Sequence, residues 1–497
     1  MDLIIENLVT AFGMLLSWQI LMYIPLGLMI GMTLGSIPGL SGVTAITLML
    51  IPSYYMPSIV AIVFLTSIYT GSVYGGGITA VLMNVPGTPA AIATGFDGYP
   101  LTQQGKHSEA LGLGLMASVI GFFISAVVIF ILLFPIGKLV VKFGPPEILM
   151  VVVLAISSIG IVKGKFISTV MTGLFGIIIG TIGASPHGTP RGIFGLMSLY
   201  EGIPLIPALL GMLAVSELFF MVEKKMIVEK KEGPKQNMGK IIKGIKDTFK
   251  YWKTIIKSAL IGTGIGLLPA AGSTIASMIS YGFAKRNSDD PDKFGKGEPE
   301  GVVAAETANN ASQGGALATM MTLGIPGSAT TALLLAAFMI QGLTPGPFLI
   351  RDHLDFAYAV ILALFPISIF LIITALVFVN YFSRLVFVPT FYIVPGIMLM
   401  AVLGSISFRS LQIDAIILIV FALLGYILKK LEYPLMGFIL GFILGSLADT
   451  AFVRTMVLYS GEPLTVFKRP IFVVLFIITI MSFIYKPLKE KIFNNSN

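Results

Sequence analysis

Apolar residues dominate the chain in segments close to the ~20 residues that cross a bilayer, with most of the charge gathered in the stretches between them. The pattern predicts full spans at 111–133, 148–162, 167–183 and 204–222, and again near 357–379, 391–405, 412–428, 434–450 and 470–485. A different pattern precedes each set. Residues 12–35 are apolar up to Pro38, and Val43–Ile51 returns as a short apolar run. We read 20–52 as a re-entrant hairpin with Ile37–Gly42 at its tip, an ordinary pair of short helices being the alternative. Residues 57–96 form an apolar element interrupted by Gly and Pro, and Asp97–Lys106 reads as a polar loop. The second half opens likewise, with a hairpin over 258–283 tipped by Pro269–Ser273, a charged loop from Lys285 to Glu300 and an interrupted element over 301–341. The expectation is an all-α polytopic membrane protein of about 11 full crossings.

The interrupted elements carry the candidate chemistry. The first reads Tyr74-Gly-Gly-Gly-Ile-Thr-Ala-Val-Leu-Met-Asn-Val-Pro-Gly-Thr-Pro-Ala-Ala91. In lipid an unwound backbone is tolerated only where protein buries it or where it lines a wet cavity. Gly75, Gly76, Gly77 and Gly87 leave the main chain bare, Pro86 and Pro89 remove amide donors, and Thr79, Asn84 and Thr88 add polar side chains beside it. A kinked helix sealed by its neighbours is the plainer reading. The element has a partner, however. Gly324-Ile-Pro-Gly-Ser-Ala-Thr-Thr331 follows Asn84-Val-Pro-Gly-Thr-Pro-Ala-Ala91 at a shift of 240 residues, and Gly262-xxx-Gly266-Leu-Leu-Pro follows Gly31-xxx-Gly35-Ser-Ile-Pro at 231. Corresponding broken segments in two halves are the sequence mark of a transporter's binding site. The organisation expected is a membrane repeat over 20–222, a linker over 223–257 and a second repeat over 258–485.

Composition agrees with this reading. The 497 residues are 56% hydrophobic and 11% charged, with a mean hydropathy of +0.94, whereas soluble domains carry roughly 25% charge. The absence of Cys excludes disulfides, thiol chemistry and Cys metal sites, and His107, His187 and His353 are too scattered to suggest a metal cluster. No signal peptide is evident, since no Lys or Arg precedes Lys106. The net charge of +8 concentrates in the lysine-rich linker, where Ile241, Ile242, Ile245, Phe249 and Trp252 recur at helical spacing. This predicts an amphipathic helix on the cytoplasmic surface rather than nucleic-acid binding. With the N-terminus outside and both hairpins re-entrant, 24 of the 32 Lys and Arg fall inside and 8 outside, the bias that sets orientation. Hairpin one then enters from outside and hairpin two from inside, so the repeats are expected to be inverted.

Several pieces resemble the large membrane subunit of the tripartite tricarboxylate transporters, the TctA family. They are Tyr74-Gly-Gly, Val85-Pro-Gly, Asp97-Gly-Tyr-Pro with Gln104-Gly105, Phe294-Gly-Lys-Gly-Glu-Pro-Glu-Gly301, Glu306-Thr-Ala-Asn-Asn310, Gly314-Gly-Ala-Leu317 and Leu323-Gly-Ile-Pro-Gly-Ser-Ala-Thr-Thr331. They run in family order over roughly residues 20 to 450. The resemblance implies a secondary transporter of organic carboxylates in a prokaryotic cell membrane, driven by an ion gradient. It also implies two partners, a small TctB-like membrane subunit and an extracytoplasmic TctC-like solute-binding protein. Thr88 stands where family members often carry an acidic residue, and Ala270 replaces a Gly common at the second hairpin tip.

A carboxylate entering the membrane must exchange water for other donors. Helix N-termini offer unpaired amides and partial positive charge. We take Gly39, Ser41, Gly75, Gly76, Thr79, Thr88, Ser273, Thr274, Gly327 and Ser328 as candidate substrate contacts, with capping alone as the competing role for the hydroxyls at helix starts. Asn84, Glu306, Asn309, Asn310 and the carbonyls freed near Pro86 and Pro326 are oxygen ligands suited to a hard cation such as Na⁺. Glu306 is alternatively a proton carrier, or a residue reaching the membrane interface. Glu217 and Asp449 sit near span ends and read as interfacial, and Arg191 as a structural loop contact or an attractor of anions. No cofactor is expected beyond a coupling Na⁺ or H⁺. Serine–histidine chemistry would need a His facing a Ser inside the bilayer, and all three His fall in loops, so an enzyme is not expected. A scaffold, a receptor or a channel remains as the alternative class.

Overall fold

In the computed structural model, residues 2–37, 40–140, 142–163, 166–223, 236–268, 271–379 and 390–481 are described. The chain is all-α and polytopic. The first half runs through α1 (Asp2–Leu15), α2 (Trp18–Gly35), α3 (Gly42–Tyr54), α4 (Ser58–Met83), a single 3₁₀ turn (Pro89–Ala91), α5 (Ile92–Gln103), α6 (His107–Val140), α7 (Pro145–Lys163) and α8 (Phe166–Gly180). A two-residue antiparallel pair follows, β1 (Gly183–Ala184) with β2 (Pro190–Arg191). Then come α9 (Leu205–Leu209), a π-helical stretch (Leu210–Val215) and α10 (Ser216–Glu223). The second half holds α11 (Met238–Thr248), α12 (Trp252–Gly266), α13 (Gly272–Asn287), α14 (Pro299–Leu323), α15 (Ala329–Ile340), α16 (Pro347–Asp352), α17 (Leu354–Val377), α18 (Thr390–Arg409), α19 (Ile413–Lys430) and α20 (Leu435–Leu458). Among the described residues six helices are long and apolar enough to cross a membrane, and shorter apolar helices accompany them.

The sequence echo has a counterpart in packing. Gly31 and Gly35 of α2 lie against the carbonyls of Ile68 and Ser72 on α4, and Gly75 of α4 lies against that of Met32. In the second half Gly262 and Gly266 of α12 lie against the carbonyls of Ala308 and Ser312 on α14, and Gly315 against that of Thr263. Every pair is carried over by the same shifts of 231 and 240 residues. A Cβ at any of these glycines would collide with backbone, so small residues let the helices touch directly. The halves also cross-pack: α3 lies against α15, and α13 lies against the 3₁₀ turn and α5.

Two expectations change. Gly75–Gly77 and Gly314–Gly315 do not unwind the backbone, because α4 and α14 run through them. The breaks come later, where Asn84 and Gly324 adopt the left-handed conformation (φ +57° and +72°) and end the two helices. Asp97–Lys106 is not a loop, since α5 continues to Gln103. One face of α11 packs on α6. Ile241, Gly244 and Thr248 are buried, Gly112 of α6 meets the Ile241 carbonyl, Gly244 meets that of Glu109, and Lys243 pairs with Glu109. Ile242, Phe249 and Trp252 stay exposed. Residues 224–235 of the linker, Pro38 and Gly39 of the first tip, and Pro269 and Ala270 of the second lie outside the described residues.

Candidate functional site

Four chain breaks meet at one cavity of about 540 Å³. Its wall includes the first residues of three helices, Gly42 of α3, Gly272 of α13 and Ala329 of α15, and Pro89, which opens the 3₁₀ turn leading into α5. Each start leaves amide N–H groups without helical acceptors and carries partial positive charge. Hydroxyls of Ser41, Tyr69, Ser72, Thr88, Ser273, Thr274, Ser328 and Thr330 stand around them, and among the described residues no charged one lines the wall. Val43, Val73, Ile275, Met436 and Leu440 supply an apolar remainder.

The hydroxyls differ in employment. Ser328 caps α15: its Oγ accepts from the Thr331 amide at 3.2 Å, and Thr331 Oγ1 accepts from the Ser328 amide at 2.9 Å. Its Oγ also lies 3.4 Å from the Tyr69 hydroxyl. Ser41 occupies the equivalent place before α3, in extended conformation, but makes no capping bond. Thr88 Oγ1 is buried without a hydrogen-bond partner among the described residues. Ser277 donates to the Ala90 carbonyl at 2.8 Å, tying α13 to the break of the first half.

Of the candidate substrate contacts, Ser41, Thr88, Ser273, Thr274 and Ser328 line the cavity, as does Pro326. Gly75, Gly76, Thr79 and Gly327 do not: Gly76 lies behind Thr88, Thr79 donates to the Gly76 carbonyl at 3.2 Å, and Gly327 packs on Ala316 and Gly266. Gly39 lies outside the described residues. Tyr69 and Ser72 were missed, although Thr66, Tyr69, Thr70 and Ser72 form a polar run on α4 that a helical reading could have flagged. Met436 and Leu440 give no signal in the sequence.

The cation candidates separate. Asn84 is exposed and ends α4, and Pro86 follows in the break. Glu306, Asn309 and Asn310 lie deep inside α14, fully or almost fully buried, so Glu306 does not reach the protein surface. Thr94 Oγ1 of α5 donates to Glu306 Oε1 at 2.6 Å, and Ser118 Oγ of α6 donates to Oε2 at 3.0 Å. Asn310 Nδ2 lies 3.2 Å from the same Oε2 and 2.8 Å from Ser118 Oγ, while its Oδ1 accepts from Gln313 at 2.9 Å. Asn309, buried one turn along from Glu306, makes no side-chain bond among the described residues. The glycine triplet now has a geometric reason. Gly75 faces α2, a Cβ on Gly76 would stand 2.7 Å from Thr88 Oγ1, and one on Gly77 would stand 2.6 Å from Glu306 Oε1. Cavity and carboxylate thus sit against adjacent residues of α4.

Comparison with known proteins gives the family. The model of the tripartite tricarboxylate transporter TctA family matches residues 21–440. The chain belongs to that family. Among its relatives is an Agrobacterium vitis protein described as an uncharacterized 52.8 kDa protein in the TAR-I ttuC′ 3′ region, 30% identical over 474 residues, or 95% of this chain and 93% of that protein. Another from Agrobacterium vitis, described as an uncharacterized protein in the TAR-II ttuC′ 3′ region, is 32% identical over 210 residues, 42% of this chain and 87% of its own length. No solved structure gives a significant match.

Two stretches that carry the TctA likeness meet in space. Asp97, fully buried, accepts at Oδ1 from the amides of Gly295 (2.8 Å), Gly297 (2.9 Å) and Glu298 (2.8 Å), and at Oδ2 from the Tyr281 hydroxyl (2.8 Å). Gly295 and Gly297 have φ of +87° and +100°, which glycine tolerates, and a Cβ at Gly301 would strike the carboxylate. This clamp fixes α5, and with it Thr94 on Glu306. Glu298 ends the loop by capping α14, and burial pushes its carboxyl above the ordinary value. Elsewhere in this TctA protein three ion pairs tie separate segments together. Arg191 pairs with Asp449, Arg469 with the buried Glu147 at 2.5 Å, and Arg409 with the buried Asp414 at 2.5 Å.

Proposed function

We propose that this chain is the large membrane subunit of a binding-protein-dependent tripartite system that moves di- or tricarboxylate anions across a prokaryotic cell membrane. The observation that supports it most is the cavity: helix starts from both halves converge on one uncharged, hydroxyl-lined space. Such a space gives an anion amide and hydroxyl donors in place of water without burying a fixed counter-charge. A small TctB-like subunit and an extracytoplasmic TctC-like binding protein complete the system in this reading. The chain is a permease, not an enzyme. The two halves act as inverted repeats, and rocking of one against the other exposes the cavity to alternate faces.

Coupling belongs at Glu306. A carboxylate buried this deeply is costly, and the side chains bonded to it, from Thr94, Ser118 and Asn310, bring donors but no cation. A Na⁺ or a proton arriving there neutralises the site beside the cavity. Asn309 and Asn310 offer amide oxygens on the same helix for Na⁺, with one lone pair of Asn310 Oδ1 already engaged by Gln313.

The test is uptake into proteoliposomes carrying the chain with both partner subunits. Labelled citrate, succinate, malate and fumarate are screened against imposed Na⁺ and pH gradients. Gradient-driven accumulation of at least one acid is expected, and in Glu306→Gln accumulation should no longer follow the gradient. Equilibration without accumulation would indicate a channel. No flux of any acid by the complete wild-type system would indicate a scaffold or receptor.

A further inference from the structure

A second cavity, of about 530 Å³, shares Ser41, Val43, Ala329 and Met436 with the first. The two therefore adjoin, and we call the second the vestibule. Its outer wall brings Leu213 of the π-helical stretch, Glu217 of α10, Lys429 of α19 and the Glu432–Leu435 turn. Lys429 is the one Lys or Arg lining either cavity among the described residues. An anion that leaves the uncharged first cavity by this route meets a full positive charge there and nowhere earlier.

The ammonium is already engaged. Lys429 Nζ donates to Glu217 Oε1 at 2.7 Å and to Ser216 Oγ at 3.0 Å. The packing beneath fixes this register. Gly425 of α19 lies against the Met212 carbonyl, and one turn further along both helices Lys429 meets Ser216. Gly211 lies against the Leu418 carbonyl in the same seam. The π-helical stretch Leu210–Val215 adds to the helical turn, which rotates Ser216 and Glu217 relative to a regular helix. The Glu217 side chain is 37% exposed and that of Lys429 21%, so the pair is partly screened and open to an exchange of partners. A passing anion gains the cation only by displacing Glu217.

We propose that Lys429 is an anion-binding residue of the vestibule, where a substrate carboxylate replaces Glu217 on its ammonium while passing between the first cavity and the aqueous mouth. This rests on the transport reading above. It adds a substrate contact outside the two interrupted elements, and it makes Glu217 an internal competitor that lowers affinity on this side and favours release. The charge layout places Lys429 at the cytoplasmic end.

The experiment is exchange in proteoliposomes containing the complete tripartite system, with the best-transported acid of the citrate, succinate, malate and fumarate panel supplied at the cytoplasmic face. Glu217→Gln frees the ammonium and should lower KM at that face roughly two- to fivefold, the worth of a partly exposed pair. Lys429→Gln should raise it about tenfold or more, as expected for a lost charged hydrogen bond, with Lys429→Arg intermediate. The double variant Glu217→Gln/Lys429→Gln leaves no unpaired charge, so it should melt like wild type yet keep the high KM. A double variant with wild-type KM would make the pair structural and overturn the assignment, as would an unchanged KM in Glu217→Gln. In either case wild-type exchange leaves the transport reading standing. No exchange by wild type overturns both.

Discussion

Replacing Asp97 by Asn isolates one carboxylate that joins the two halves across nearly 200 residues of sequence. Asn keeps the volume, and one amide oxygen placed at the Oδ1 position still accepts from Gly295, Gly297 and Glu298. What it loses is charge. A hydrogen bond to an ionised acceptor contributes about 1.5–3 kcal/mol net, against about 0.5–1.5 kcal/mol for a neutral one. Three such bonds therefore weaken by ~1 kcal/mol each, or ~3 kcal/mol together. The side chain is fully buried, so solvent screening does not reduce this. The Tyr281 hydroxyl can turn to accept from the new NH₂ group, so its share is smaller. A loss of ~3 kcal/mol raises the open fraction of the 294–298 loop roughly a hundredfold. Lys296 is exposed on that loop, so trypsin reads the opening directly. When opening is fast relative to cutting, the cleavage rate tracks the open population. The expected result is cleavage after Lys296 up to about two orders of magnitude faster in Asp97→Asn than in wild type, measured on detergent-solubilised protein by mass spectrometry. Rates equal within error would refute the clamp.

Gly76→Ala should lower the melting temperature, because its Cβ would stand 2.7 Å from Thr88 Oγ1 and 2.9 Å from the Thr88 amide; overpacking of this kind costs about 1–3 kcal/mol. Adding Thr88→Ala should recover part of the loss, and a melt that does not move in Gly76→Ala would refute the contact. The linker side is tested by Lys240→Cys in this cysteine-free chain: an impermeant thiol reagent should label it in inside-out vesicles and not in intact cells, and labelling from outside would invert the layout.

The local punctuation of the chain was legible without coordinates. α4 and α14 end at Asn84 and Gly324, two residues before Pro86 and Pro326, so the Gly and Pro cluster marks both breaks in the chain itself, and the 231- and 240-residue echoes recur as matched glycine contacts in the fold. Ser41, Thr88, Ser273, Thr274 and Ser328 could be singled out because hydroxyls beside helix starts are a pattern a few residues long. The glycine triplet misled for the same reason. Taken locally, three glycines look like loose backbone, whereas α2, Thr88 and Glu306 each occupy the space one missing Cβ leaves. Asp97 also looked like an ordinary loop residue, since the amides it binds lie 198 to 201 positions away. Glu306 was visible as an intramembrane acid, but its donors on α5 and α6 are 212 and 188 positions distant, and no period or motif carries that pairing. Lys429 seemed one cytoplasmic lysine among many until packing set it across from Ser216 and Glu217, some 213 residues earlier. Breaks, caps and apolar periods are set by interactions within a turn or two of helix, so the sequence alone determines them. Which polar groups share a cavity depends on how helices distant in the chain are brought together, and only the tertiary structure decides that.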